Sequence, residues 1–180
     1  GEVITNISCS YIKDLSKIKL SANWMASSKN NNEIESLYLA VKKISTLCTS
    51  NNITIPVGKD SLSMSTSWKN KKTSYNVESP VSLVLSAFCS IDNVNDVITP
   101  DLKGNGEIFL IDISEGMERM GGSSLHQIHN IIDSDVPRIN KSQNIELFFN
   151  FVQSLIKSKT ISAYHDKSDG GLFATLTEMA

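Results

Sequence analysis

Two short stretches concentrate the residues that could do chemistry. The first is Gly58-Lys59-Asp60-Ser61, which follows the apolar lead-in Ile53-Thr54-Ile55-Pro56-Val57. A glycine lets backbone N–H groups approach an anion that a Cβ would hold away, so phosphate binding is one expectation. Lys59 would add a point charge, Ser61 a hydroxyl donor, and Asp60 a metal ligand or a hydrogen-bond acceptor. A polar turn between two strands is the other reading, because Gly, Asp and Ser all favour turns. A P-loop is excluded: Ile53 and Asp60 stand where that motif needs Gly and Ser or Thr.

The second stretch is His165-Asp166-Lys167-Ser168-Asp169-Gly170-Gly171, which precedes Leu172–Met179 at helical spacing. Ser168 or Asp169 is expected to cap that helix, and the glycine pair leaves its first N–H groups open to an anion. Asp166 suits Mg²⁺, which needs few carboxylates because phosphate oxygens and waters complete its shell. A capping turn accounts for Ser168, Asp169 and the glycines, but not for His165-Asp166. Near the other end, Glu2 and Asn6 are four residues apart and share a face if the segment is helical. They could share a hard cation, or lie on a solvated face. His126 and His129 also share a helix face, but no third ligand stands near them, which points to a surface or lining role.

Several elements must position these groups. Ile34, Leu37, Tyr38, Val41, Ile44 and Cys48 recur at helical steps, predicting a helix over 33–48 that packs on a sheet. A strand over 53–57 leads into the Gly58 stretch. Met64, Thr66 and Trp68 alternate with small polar residues before the basic turn Lys69-Asn70-Lys71-Lys72, predicting a hairpin. The run Val81–Cys89 is apolar on both faces and reads as a buried central strand. Polar residues 91–100 and the turn material Lys103-Gly104-Asn105-Gly106 mark a subdomain boundary, after which a strand is expected over Glu107–Ile113. Helices are expected over 125–132 and 144–157, the latter with Ile145, Phe148, Phe149, Val152, Leu155 and Ile156 as its apolar face.

Composition limits the function classes. The chain has 180 residues, 40% of them hydrophobic, enough for one ordinary domain or two small ones. Its 17 basic and 19 acidic residues give a net charge of −2 without a basic stripe, which disfavours nucleic acid as a partner. No apolar run reaches the roughly 18 residues of a membrane span. Cys9, Cys48 and Cys89 fit no metal spacing and leave one thiol over in any disulfide scheme, so a reducing, cytoplasmic setting is expected. The abrupt start at Gly1-Glu2 and the stop inside a helical pattern suggest a piece of a longer protein.

Taken in order, Gly1-Glu2 to Asn6, Leu20–Met25, IPVGKDSLSM, Ser79–Phe88, Arg119–Ser124 and YHDKSDGG resemble the phosphoribosylformylglycinamidine synthase family in its large, single-chain form. The ordered set spans nearly the whole chain and resembles the second half of the duplicated synthetase region. The resemblance implies an α+β, aminoimidazole-ribonucleotide-synthetase-like (PurM-like) fold. It places part of an N-terminal module in 1–92, a linker in 93–102 and the first part of a C-terminal module in 103–180.

The activity so implied is a ligase of de novo purine biosynthesis. ATP activates an amide oxygen of formylglycinamide ribonucleotide, and ammonia released from glutamine by a distant glutaminase domain displaces phosphate. By motif match, Glu2, Asn6 and Asp166 resemble Mg²⁺ ligands and Ser168 a nucleotide contact, at an auxiliary site holding ATP or ADP. Gly58 resembles an ATP contact and Ser61 a substrate contact of the catalytic site. Small family forms have Asn-Val where this chain has Lys59-Asp60. A metal role therefore does not carry over to position 59, and Lys59 and Asp60 remain possible supports of the phosphate loop. No catalytic residue of the family falls in this stretch, and the remaining synthetase and glutaminase domains are implied partners in the same chain. The alternative is a structural, non-catalytic nucleotide-binding module of a related PurM-like enzyme.

Overall fold

The computed structural model describes residues 1–180 and divides them into two compact units. One comprises Ile18–Phe88; the other joins Gly1–Lys17 to Cys89–Ala180.

In the unit 18–88, strand β1 (Lys19–Met25) lies between β2 (Thr54–Ser61), to which it is parallel, and β5 (Ser82–Phe88), to which it is antiparallel. A parallel pair needs a crossover. Helix α2 (Asn31–Ser50) supplies it, starting where the Asn30 side chain accepts from Asn32 N at 3.0 Å. Asn52, at φ 54°, turns the chain back toward β2 after the helix ends. Leu20, Ala22, Ala26, Cys48 and Ile53 are buried in this unit. Cys48 is the one buried residue of α2, whose apolar face lines a cavity of about 250 Å³ with Trp24 and Ile55.

Strands β3 (Ser65–Asn70) and β4 (Thr73–Glu78) form the expected hairpin, turning at Lys71-Lys72. Trp68 and Tyr75 are directly opposite in register and stack with ring centroids 5.2 Å apart.

Two strand expectations are corrected in this unit. The Gly58–Ser61 stretch is not a loop: β2 runs through it, pairing Gly58, Lys59, Asp60 and Ser61 with Ala22, Asn23, Trp24 and Met25 of β1. The extended backbone that starts at Thr54 finds a continuous ladder on β1, and that ladder prevails over the turn preference of Gly, Asp and Ser. The run containing β5 is an edge strand, not a central one, and leaves Val84 and Phe88 exposed. Apolar residues on both faces specify two coverable faces, but they do not specify a strand neighbour at each edge.

The other unit is organised by helix α4 (Gln143–Lys157). Ile145, Phe149 and Val152 are almost fully enclosed, and Phe148, Val152 and Ile156 pack with Tyr11, Ile98, Ile113, Ile161 and Tyr164. Helix α1 (Glu2–Ile7) buries Ile4. The segment after α1 is tied to α4 by Gln153, whose Oε1 accepts from Ile12 N at 2.6 Å and whose Nε2 donates to Ser8 O at 3.2 Å. Gln153 is buried, so its loss strands a backbone N–H and a carbonyl away from water. Gln153→Ala is therefore expected to destabilise by about 1–3 kcal/mol in urea unfolding, whereas an unchanged midpoint would mean that water replaces both bonds.

Residues 107–113 form no strand. Their β-favouring composition describes a half-buried pleated surface, and no partner strand pairs with them, so Phe109 and Leu110 stay exposed. The run ends where Asp112 accepts from Ser114 N and Gly116 N, a local turn that competes with any ladder. Helix α3 (Ser124–Ile128) is shorter than expected, capped by Ser123 and followed by Asn130 at φ 54°. Helix α5 (Gly171–Met179) closes the unit, with Met179 O accepting from Leu102 N.

Candidate functional site

Asn6 and Asp166 meet in the unit built from the two ends of the chain, which also contains Glu2. Asn6, on α1, donates from Nδ2 to Asp166 Oδ1 at 3.1 Å across 160 positions of sequence. Glu2 stands one helical turn before Asn6, and its carboxylate has neither a hydrogen bond nor a cationic partner. The Asp166 side chain is only 9% exposed. The structure brings Asn6 and Asp166 together, with no group of three or more His, Cys, Asp or Glu side chains gathered there; a carboxylate and an amide carry the oxygen chemistry that a hard divalent cation takes alongside phosphate oxygens and waters.

The surrounding residues explain why Asp166 is held there. Tyr164 donates its hydroxyl to Thr5 O at 2.6 Å, which fixes the segment leading to Asp166 against α1. Burial, with the negative charge of Asp166 as a second cause, holds the phenol well above its usual range, so Tyr164 acts as a neutral donor. His165 lies between two acceptors: Nδ1 is 2.7 Å from Asp166 O, and Nε2 is 2.7 Å from Glu178 Oε2 on α5. Thr175, one turn before Glu178, places Oγ1 3.4 Å from the same Asp166 carbonyl and 3.1 Å from Gly171 O.

Sequence reasoning missed Tyr164, Thr175 and Glu178. Tyr164 and Thr175 bond to backbone carbonyls, which side-chain spacing does not report. The partnership of Glu178 with His165 becomes visible only once the loop folds back on α5.

The glycine pair is required by conformation. Gly170 and Gly171 have φ of 82° and 63°, and a Cβ on Gly170 would come within 2.5 Å of Ala174 Cβ. The helix cap differs from expectation: Gly170 is the N-cap residue, and neither Ser168 nor Asp169 caps α5 by its side chain. Gly171 N instead donates to Ser168 O at 3.0 Å. With the turn closed by backbone groups, the Ser168 hydroxyl is exposed and unengaged, available to a ligand.

In the other unit, Gly58, Lys59 and Asp60 are exposed on an edge strand, and Ser61 is half-buried with its carbonyl accepting from Ala26 N at 3.1 Å. Gly58 has no positive φ, and a Cβ there would meet nothing within 4 Å. The protein's own packing therefore does not call for glycine at this position.

A protein-family model, that of the FGAR-AT PurM_N-like domain, matches residues 1–90 of the 180. The matched half includes Glu2, Asn6 and the Gly58–Ser61 stretch, while Asp166 and Ser168 lie beyond it. The mixed helices and strands of residues 18–88 are consistent with a PurM-like fold. Such domains have roles in FGAR amidotransferase and PurM-like enzymes, which are ATP-binding enzymes of purine biosynthesis. On the match across half its length, the chain belongs to the FGAR-AT PurM_N-like domain family.

Proposed function

We propose that this chain is part of the synthetase region of a large, single-chain phosphoribosylformylglycinamidine synthase. The reaction is the ATP-dependent conversion of formylglycinamide ribonucleotide and glutamine to formylglycinamidine ribonucleotide and glutamate, with release of ADP and phosphate. It is a C–N ligase reaction with glutamine as amide donor, carried out in the cytoplasm. Residues 1–92 and 103–180 contribute to an N-terminal and a C-terminal synthetase-like module. The glutaminase and remaining synthetase domains of the same protein complete the enzyme.

The observation that carries this reading is the Asn6–Asp166 contact, which joins the family-matched segment to the YHDKSDGG loop across the length of the chain. Glu2, Asn6 and Asp166 would hold Mg²⁺, and Ser168 would donate its free hydroxyl to the nucleotide. When bound, Mg²⁺ supplies charge neutralisation to the nucleotide phosphates. Gly58 and Ser61 belong to a second, catalytic site, where Gly58 admits ATP and Ser61 hydrogen-bonds the substrate; Lys59 and Asp60 support that stretch.

One feature favours an auxiliary role for the Asp166 site, in which nucleotide is retained and not turned over. Both ring nitrogens of His165, its nearest candidate for proton transfer, are occupied by Asp166 O and Glu178. The complete enzyme, purified without added nucleotide and then denatured, is expected to release stoichiometric adenine nucleotide together with Mg²⁺. Labelled ATP should not exchange into that pool during turnover. Enzyme that is fully active yet free of retained nucleotide would overturn the auxiliary-site reading.

A further inference from the structure

We propose that Glu178 and His165 form a positioning pair that sets the Asp166 carboxylate for a divalent cation; this role rests on the nucleotide-site reading above. Asp166 is the most enclosed of the three oxygen-bearing side chains, yet it lies in a loop that ends in two glycines of positive φ. Such a loop does not hold a side-chain direction by itself. The structure supplies that direction from α5. Thr175 and Glu178 stand one turn apart on one face of the helix, and both reach back to the loop.

Glu178 fixes the His165 ring through Nε2, and the other ring nitrogen, Nδ1, meets the Asp166 carbonyl, which Thr175 also contacts. Held at its carbonyl, Asp166 presents one carboxylate oxygen to Asn6. The Nδ1 of His165 is 3.7 Å from that same oxygen, so a rotated ring would change what faces it. The Glu178 side chain is 62% exposed and that of His165 18%. With Glu178 on the outer side of the pair, the effect of its contact falls on the orientation of the His165 ring. Groups that orient ligands from behind typically govern ten- to a hundred-fold in metal affinity.

The test uses the complete enzyme stripped of nucleotide and titrated with Mn²⁺ alone, with free Mn²⁺ followed by electron paramagnetic resonance. Glu178→Ala is expected to weaken Mn²⁺ binding by about ten- to a hundred-fold while leaving the metal-free melting temperature unchanged. Glu178→Gln, which can still hydrogen-bond the ring, should recover most of that affinity. His165→Asn combined with Glu178→Ala should bind no more weakly than either single variant, because the two residues act through one contact.

If Glu178→Ala binds Mn²⁺ normally while Asp166→Asn does not, the positioning role is overturned and the nucleotide-site reading stands. If Asp166→Asn also binds normally, the nucleotide-site reading fails and the proposal fails with it. Additive losses in the double variant would likewise overturn the pair as a unit.

Discussion

Asp166→Asn in the complete enzyme is expected to abolish retention of Mg-nucleotide while leaving the metal-free fold intact. The substitution keeps the shape of the side chain and removes its charge. An amide at 166 can still meet Asn6, now at 3.1 Å from Oδ1, so the α1 contact need not be lost. Under the proposed function the hard cation would lose its most enclosed carboxylate, leaving Glu2 as the only charged oxygen donor of the proposed set. A ligand that binds only the native state stabilises it by mass action, by about 2.7 kcal/mol at a hundred times its Kd. Mg-ADP is therefore expected to raise the melting temperature of the parent and not that of the variant. Nucleotide content after gel filtration and melting curves with and without Mg-ADP check this together. A variant that still holds stoichiometric nucleotide and keeps the melting shift would show that Asp166 is no ligand. Glu2→Ala is the milder companion, since that carboxylate is exposed and its place can be taken by water.

The meeting of Asn6 and Asp166 was approachable from sequence because each carries oxygen chemistry in a local pattern that is itself informative. A four-residue helical step places Glu2 and Asn6 on one face, and a Gly-Gly pair before an apolar helical run marks where a loop must turn. Helix α4 was legible for a similar reason. Its burial stripe of Ile145, Phe148, Phe149, Val152 and Ile156 follows the period of the helix. The limits appear where a residue's fate depends on a partner that local pattern does not name. Residues 107–113 have strand composition but no strand beside them, and β5 has two apolar faces but only one neighbour. Tyr164 finds a backbone carbonyl 159 positions away, a contact that leaves no trace in the spacing of side-chain types. The Gly58–Ser61 stretch shows the opposite failure. Its composition favours a turn locally, while the ladder on β1 decides its backbone.

Gly58→Val is expected to abolish synthesis without unfolding the protein. In a loop, a glycine is ambiguous, because its loss can strain the backbone as well as block a ligand. In β2 the ambiguity is gone: Gly58 pairs in register with Ala22, has no positive φ, and offers open space where a Cβ would stand. A β-branched residue suits an extended strand at least as well as glycine does, so Gly58→Val should leave stability within about 0.5 kcal/mol of the parent or slightly above it. Synthesis of formylglycinamidine ribonucleotide should nonetheless be abolished if the backbone there must lie against a phosphate, since valine would fill that approach. Glutaminase activity, which resides in another domain under the proposed function, should persist. The three readouts separate the explanations. A large fall in urea midpoint would show that the fold itself needs glycine at 58, and normal synthesis in a stable variant would show that no ligand approaches this strand. Intact stability and glutaminase activity with synthesis lost is the outcome expected of a glycine kept for what binds beside it.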